Sequence, residues 1–405
     1  MTIDRNTTLS DKTFTPQVDT WMRHIRVLAE EIGPRGSTRE GERRGHEYCY
    51  SILCELGFEA RWESFRSAKS VFHPFLIVSM LMLLAFILYP LAGRASSALS
   101  GLIALGTLIS ALLELSLRDN PLRRMVPKGD SQNVFTVMPP ARETRQDLVL
   151  IGHVDSQYTP LIFRSLRWLA IYRIFATAAL VSFSGMVLIY LLGIFTRWSW
   201  IWPASGIGAL FAVLLLALCV QALSTPLTPG ANDNASAAGL ILTLAEHFRQ
   251  EPLKNMRLWL VCTGSEEALH DGAIDFFRKH KSELTDPKAV VLESLGCAGP
   301  SWSLGEGFVL PILPDPGLVD LAEKVARANP GLEAYPSRIS GGVTEMSDAL
   351  RAGVPALTVM GLTRENELPY WHQPADTVDK IDPEVLGRNY AFVWHYLQAL
   401  DEQGK

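Results

Sequence analysis

The sequence contains no Cys-x-x-Cys pair. Its five cysteines, Cys49, Cys54, Cys219, Cys262 and Cys297, are scattered and odd in number. Neither a disulfide framework nor a thiolate metal site is indicated. It also lacks a basic run or a Lys/Arg-rich tail. Lys and Arg number 37 against 42 Asp and Glu, a formal net charge of -5. Nucleic acid is therefore not an expected partner. Residues 1–14 are polar and have no apolar core, so no cleavable signal peptide is expected. Internal repeats and low-complexity segments are missing too.

What the chain has in excess is apolar sequence. Its mean hydropathy is positive, and the surplus sits in two places. Residues 72–91 form an apolar run of the roughly 20 residues needed to cross a bilayer. A short link with Arg94 leads to a second run, 98–117, with Glu114 near its end, where a charge can reach the interface. Residues 174–195 and 201–223 repeat the arrangement, and Arg197-Trp198-Ser199-Trp200 makes the turn. Tryptophans suit a membrane interface. Two membrane hairpins are expected, 71–117 and 166–223.

The rest reads as alternating strands and helices. Expected helices cover 16–32, 38–56, about 235–249, 268–281, 316–328 and 383–400. Expected strands cover 58–65, 133–138, 147–151, 257–262, 289–292 and 356–360. That alternation predicts an α/β fold: a mixed, largely parallel sheet with helices on both faces. Each hairpin leaves and returns on one side, so 1–70, 118–165 and 224–405 are expected to form one discontinuous domain. The domain-side flanks carry Arg61, Arg66, Lys69, Arg118, Arg123, Arg124, Lys128, Arg164, Arg167 and Arg173. The tips carry only Arg94 and Arg197. The positive-inside rule then predicts a multipass protein of a cell's inner membrane with its domain in the cytoplasm.

Five stretches carry polar groups that could do chemistry. In Gly230-Ala-Asn-Asp-Asn-Ala-Ser236, Asp233 sits among small residues before an apolar helix. It reads either as a helix cap or as a carboxylate fixed in one direction, as a metal ligand must be. His153-Val-Asp155 ends a strand, and residues two apart in extended chain face the same way. Asp155 could then orient the His153 imidazole. In Gly264-Ser-Glu-Glu267, Glu266 and Glu267 repel unless a cation lies between them. Otherwise they are acids at a helix start. Glu293 closes a strand where open α/β sheets build their sites, or else belongs simply to the turn that follows. Tyr370-Trp-His-Gln-Pro-Ala-Asp-Thr377 supplies His372, either as a second ligand histidine or as a packed loop histidine. Ser347 and Asp348 are further candidates, as groups that bind substrate or support other site residues, or as an ordinary cap. Nitrogen and oxygen donors without thiolate suit zinc with an open position.

Taken in order, these motifs resemble the dinuclear zinc aminopeptidase family, which includes leucyl aminopeptidases, glutamate carboxypeptidase and glutaminyl cyclases. Leu28-Ala-Glu-Glu-Ile-Gly-Pro-Arg35 resembles that family's opening helix, and the likeness spans the soluble chain but not the hairpins. The resemblance implies that Asp233 bridges two zincs, with His153 and Glu293 on one and Glu267 and His372 on the other. It makes Glu266 the general base, with Asp155 orienting His153. Ser347, Asp348 and Tyr370 are the substrate-binding candidates. It implies hydrolysis of a peptide or amide bond by a zinc-bound hydroxide. Glu293 stands where the family usually has Asp, which puts the second zinc in question and leaves one possible. Two rivals remain: a single-zinc, glutaminyl-cyclase-like acyltransferase, and a non-catalytic receptor or transporter subunit on the same fold. The second hairpin falls between His153 and Asp233, so the site is expected near the bilayer. The expected partners are the lipid bilayer and a peptide substrate, soluble or membrane-associated.

Overall fold

The computed structural model describes residues 14–403, except 117, 143–145, 197, 308–310 and 340. Arg197 of the second tip, Leu117 and the polar start 1–13 lie outside the described residues. The chain divides into two units. One comprises Met1–Ser67, Gly129–Gln157 and Leu227–Lys405, the other Ala68–Lys128 and Tyr158–Pro226.

The first unit is built on an eight-stranded sheet. Its strands are β1 (Arg61–Ala68), β2 (Lys128–Met138), β3 (Gln146–His153), β4 (Met256–Thr263), β5 (Lys288–Glu293), β6 (Ser301–Ser303), β7 (Tyr335–Ser337) and β8 (Ala356–Met360). They run in the order β1-β2-β4-β3-β5-β8-β6-β7. The β3–β4, β3–β5, β5–β8 and β6–β7 pairs are parallel, whereas β2–β4 and β6–β8 are antiparallel. This is the mixed, largely parallel sheet that the alternation predicted.

Its central strand explains itself from sequence. From Asp147 to His153 every residue of β3 is buried, as befits a parallel strand covered on both faces. Leu148 and Leu150 face one core and Val149 and Ile151 the other, because successive side chains alternate. The first core is closed by α1 (Thr15–Arg26), α2 (Glu40–Glu55) and three later helices.

In the second unit lie α3 (Phe72–Leu88), α4 (Gly93–Leu115), the short α5 (Pro121–Met125), α6 (Leu166–Thr196) and α7 (Ile201–Leu223). Three of these, α4, α6 and α7, are long and apolar enough to cross a membrane. α3, with 17 residues, is apolar but shorter. It ends at Leu88, short of the expected 91: Tyr89 keeps helical angles (φ -51°, ψ -47°), but Pro90 has no N–H to carry the hydrogen-bond ladder on. The first helix of the second hairpin starts at Leu166, the expected edge of that hairpin and eight residues before its apolar span at 174. Outward faces are apolar: Ile174 is 72%, Leu188 67% and Phe195 79% exposed. Water-facing helices of a globular protein carry a polar stripe there. Glu114 is buried against Asn120 and Arg123.

The first unit resumes with α8 (Ser236–Gln250), α9 (Asp271–His280), α10 (Pro316–Ala328), α11 (Met346–Arg351) and α12 (Pro383–Gln403). Helices α8, α10 and α12 contribute to the first core, α9 and α11 to the second. The α9 helix begins three residues later than periodicity predicts. Leu269 and His270 take positive φ (106° and 59°) and break the pattern first. Strand β1 is displaced from the expected 58–65. Strands β6 and β7, three residues each, are too short to leave a periodic signal.

Candidate metal centre

Parallel pairing gathers the polar strand ends at one edge. Register sets Ile151 opposite Val291 and His153 opposite Thr263. Two residues on, the ends of β3 and β5 are His153 and Glu293, and β4 runs out into Gly264-Ser265-Glu266-Glu267. Sites in open α/β sheets form beyond such carboxyl ends. The remaining groups arrive from two turns. Gly230 adopts a left-handed φ of 64°, and Asp233 (φ -114°, ψ 93°) leaves helical geometry before α8 starts. His372, with φ 49°, closes the loop between β8 and α12.

These groups converge. Asp233 divides its oxygens between two histidines: Oδ1 lies 3.4 Å from His153 Nε2 and Oδ2 3.3 Å from His372 Nε2. His153 Nε2 is also 3.5 Å from Glu293 Oε2 and 3.8 Å from Glu266 Oε2. His372 Nε2 is 3.2 Å from Glu267 Oε2. The carboxyl of Asp155 lies 3.5 Å from His153 Nδ1, which comes closer, 3.1 Å, to the Asp155 backbone oxygen. Asp155 meanwhile accepts bonds from the amides of Glu266 and Glu267 and from Ser37. It therefore anchors the Glu-Glu turn as well as facing the imidazole.

Electrostatics follow from that crowding. Burial disfavours charge on His153. Glu266 and Glu293 outweigh it and hold the imidazole well above its usual range. Burial likewise opposes charge on His372, yet Glu267 and Asp233 carry it to about 10. Asp233 is held below the ordinary carboxyl range by its two imidazoles, against burial. Glu266 is pushed well above that range by burial and its acidic neighbours, and Glu267 is raised for the same reasons.

Such a donor set calls for positive charge. Four carboxylates surround two imidazoles, and the acids alone pull both histidines up. Glu267 Oε1 is buried and accepts no hydrogen bond. Among the described residues, His153, Asp233 and Glu267 each offer a ligand atom within 4.8 Å of the others. Nitrogen and oxygen donors of this kind fit zinc.

Outside that centre the other candidates separate. Asp348 turns to His270, whose Nδ1 is 2.8 Å from Asp348 Oδ2. Ser347 is buried beside it in α11, with no hydrogen-bond partner for its hydroxyl. Tyr370 is half-buried, with φ 60°, and its carbonyl accepts from Gln373.

Several supporting residues give no sign of their roles in sequence. Asp376 is fully buried and accepts bonds from the amides of Asn232 and Asp233, fixing the turn that presents Asp233. Asn234 donates to Glu293 Oε2. Glu42 reads as the solvated face of a charged helix. It is wholly buried and accepts from Ser265 N, Ser131 and Thr38 N. Glycine is required at 272, where an added Cβ would stand 2.2 Å from the Gly264 carbonyl. That approach holds α9 against the Glu-Glu turn.

Glu306 gives a pH prediction. Burial first, with Asp348 and Glu293 nearby, raises its carboxyl from 4.5 to about 8, against a bond from Thr344. Between those values the unfolded chain ionises there and the fold does not, so stability falls as pH rises through that window. Below it the penalty is absent. Glu306→Gln removes the titration. Its melting temperature relative to wild type should rise between about pH 5 and about pH 9, by the equivalent of a few kcal/mol. An unchanged difference would refute the assignment.

Comparison with known proteins agrees with this geometry. Residues 222–397 match the model for peptidase family M28. The chain is 26% identical over 166 residues to aminopeptidase YwaD of Bacillus subtilis, covering 40% of this chain and 36% of that one. The match thus spans about a third of that relative's length. Tannerella forsythia glutaminyl cyclase superposes with a TM-score of 0.56 at 13% identity, over 94% of this chain and 98% of that one. A leucine aminopeptidase precursor from Bacteroides thetaiotaomicron gives 0.56 at 11%, over 94% and 96%. A Zn-dependent exopeptidase from Parabacteroides distasonis gives 0.54 at 10%, over 94% and 97%. At these identities the structures establish a shared fold. Together with the family match they bear out the resemblance to a zinc aminopeptidase-like family.

Proposed function

We propose that this protein is a membrane-anchored, zinc-dependent peptidase, in which His153, Asp233, Glu267, Glu293 and His372 hold the metal and Glu266 is the general base. One observation carries the reading. Asp233 turns one oxygen to each of two buried histidines, and each histidine has a further glutamate beside it. That arrangement suits two ions sharing one carboxylate. Zinc, when bound, supplies Lewis-acid polarisation of a carbonyl and lowers the pKa of water. The chain's own residues do the rest. Glu266 Oε2, on the His153 side, accepts the proton of the attacking water and returns it to the leaving amine. Asp155 fixes the backbone of Glu266 and Glu267, so the base and a ligand keep their spacing.

Zinc per chain tests this, measured by elemental analysis of detergent-purified protein beside Asp233→Ala. Two zincs, lost in the variant, are expected. No zinc after zinc has been offered would overturn the reading and favour a non-catalytic protein on this fold. A single zinc would move the assignment to the second reading, an acyltransferase that cyclises N-terminal glutamine. The structural likeness to glutaminyl cyclases favours that alternative. Products separate the two: free amino acid from the peptidase, ammonia and a pyroglutamyl peptide from the cyclase.

Membrane anchoring rests on the apolar helices α4, α6 and α7, with α3 as the shorter partner of the first hairpin. The excess of Arg and Lys on the domain-side flanks supports a cytoplasmic first unit. Cys54 is the exposed cysteine of that unit. A membrane-impermeant maleimide should label it in inverted vesicles and leave it unlabelled in intact cells, with Cys54→Ser removing the signal. Labelling from outside intact cells would reverse the topology. The second hairpin replaces the loop between His153 and Asp233, and this supports a membrane-associated peptide as substrate. The full chain in proteoliposomes should cleave a lipidated peptide faster than its unlipidated form. Equal rates would exclude that preference.

A further inference from the structure

We infer that His270 and Asp348 are positioning residues for Glu266, holding one of its oxygens so that the other faces the metal centre. His270 Nε2 lies 3.2 Å from Glu266 Oε1, while Glu266 Oε2 lies on the opposite side, 3.8 Å from His153 Nε2. Behind His270, Nδ1 meets Asp348 Oδ2 at 2.8 Å. The result is a chain Asp348–His270–Glu266 that ends at the proposed base.

Three features make this chain more than a chance contact. His270 and Asp348 are buried, 7% and 4% exposed, and the Glu266 side chain is 11% exposed. A buried imidazole bonded at both nitrogens cannot rotate without losing a partner. The backbone at His270 is bent to make the contact, with φ 59° at the residue before α9. Few non-glycine residues adopt that conformation, and it persists where surrounding contacts impose it. The spacing also serves the role. Glu266 and His270 are four residues apart across a turn rather than a helix, and Asp348 comes from α11, 78 residues away. The carboxyl of Asp348 is thereby occupied with His270 and with Arg351 Nη1 at 3.4 Å. Of the two roles expected for Asp348, binding substrate or supporting a site residue, the proposal takes the second.

The chemistry is orientation. A carboxylate has two oxygens and one free torsion near its end. A donor fixed on Oε1 leaves Oε2 directed at the reacting water, a geometry that must hold for proton transfer. Asp348 in turn fixes the ring orientation of His270, as carboxylates do for functional histidines.

The inference rests on the proposed role of Glu266, so its test has two arms. In the first, zinc-loaded full-length protein is assayed with leucine p-nitroanilide and glutaminyl β-naphthylamide. His270→Ala should lower kcat by about 10- to 100-fold, with KM and zinc content unchanged. His270→Gln, which keeps an N–H donor, should recover part of the loss. In a Glu266→Gln background, His270→Ala should cost less than about twofold more, because the group it positions is already gone. A merely structural histidine would raise KM, lower zinc content or add its full effect in that background, and any of these would overturn the proposal. The second arm needs no turnover. In 15N-histidine NMR spectra of the full chain, the His270 ring signals should move on both Asp348→Asn and Glu266→Gln. Signals unmoved by either change would sink the proposal. Wild type inert on both substrates with the NMR coupling intact would refute the hydrolase reading alone.

Discussion

Glu266→Gln should leave the zinc content at its wild-type value and reduce kcat by about 100- to 10,000-fold, the usual contribution of a positioned general base. The substitution keeps size and shape and removes only the basic oxygen. Two features of the site make the two effects separable. Glu266 Oε2 stands 3.8 Å from His153 Nε2, farther than the oxygens of Asp233 and Glu293, at 3.4 and 3.5 Å. Its second oxygen faces His270, away from the cluster. Metal retention with lost turnover assigns Glu266 to proton transfer. Loss of zinc together with activity would make it a ligand instead, and the base would have to be sought elsewhere. Asp233→Ala is the opposite case, expected to lose metal and activity together.

Arg35→Ala should be the most destabilising single change in the first unit. Arg35 is 0% exposed. Its guanidinium donates to five backbone carbonyls: Val154 at 2.7 Å, Leu28, Pro229 and Gly230 at 2.8 Å each, and Gly33 at 3.0 Å. Burial lowers its pKa to about 10, against the pull of Asp376 and Asp155, so the charge is retained at neutral pH. Leu28 and Gly230 also accept from the amides of Gly33 and Ala235, so removing the guanidinium leaves the carbonyls of Val154, Pro229 and Gly33 without the donor it supplied. Each unsatisfied group costs about 1–3 kcal/mol, and relaxation recovers some of the sum. A net loss on the order of 4 kcal/mol or more is expected. Thermal unfolding of detergent-purified protein measures it. If the alanine variant does not accumulate, Arg35→Lys answers the same question. Lysine keeps the charge but lacks the planar fork, and it should lie well below wild type. A lysine variant as stable as wild type would show that charge, not the array of donors, holds these segments.

Arg35 also shows where sequence reading stops. Its motif, Gly-Pro-Arg after a helix, marks a turn. Nothing local says that the side chain will join the opening helix, the loop after β3 and the turn before Asp233. Glu42 and Asp376 are alike in this. Charged residues read as solvent-facing unless partners are known, and their partners lie far along the chain: Ser265 is 223 residues from Glu42, and Asp233 is 143 from Asp376.

Other features were legible because their causes are local. The apolar runs that become α4, α6 and α7 announce themselves by length and composition. The buried strands β3 and β5 are short apolar runs between turns, and the alternation of strand and helix selects a parallel sheet. His153, Glu267 and Glu293 could be singled out because each closes or follows such a strand, and parallel strands share one carboxyl edge. The sequence by itself therefore determined the elements, the fold class and a short set of polar groups at strand ends and turns. Tertiary structure alone decided which of those groups meet, how Asp233 is turned between two histidines, and that Asp348 goes to His270. The physical reason is range. Periodicity and turn chemistry act over a few residues. A buried hydrogen bond between residues 78 or more positions apart is set by packing, which no window of sequence contains.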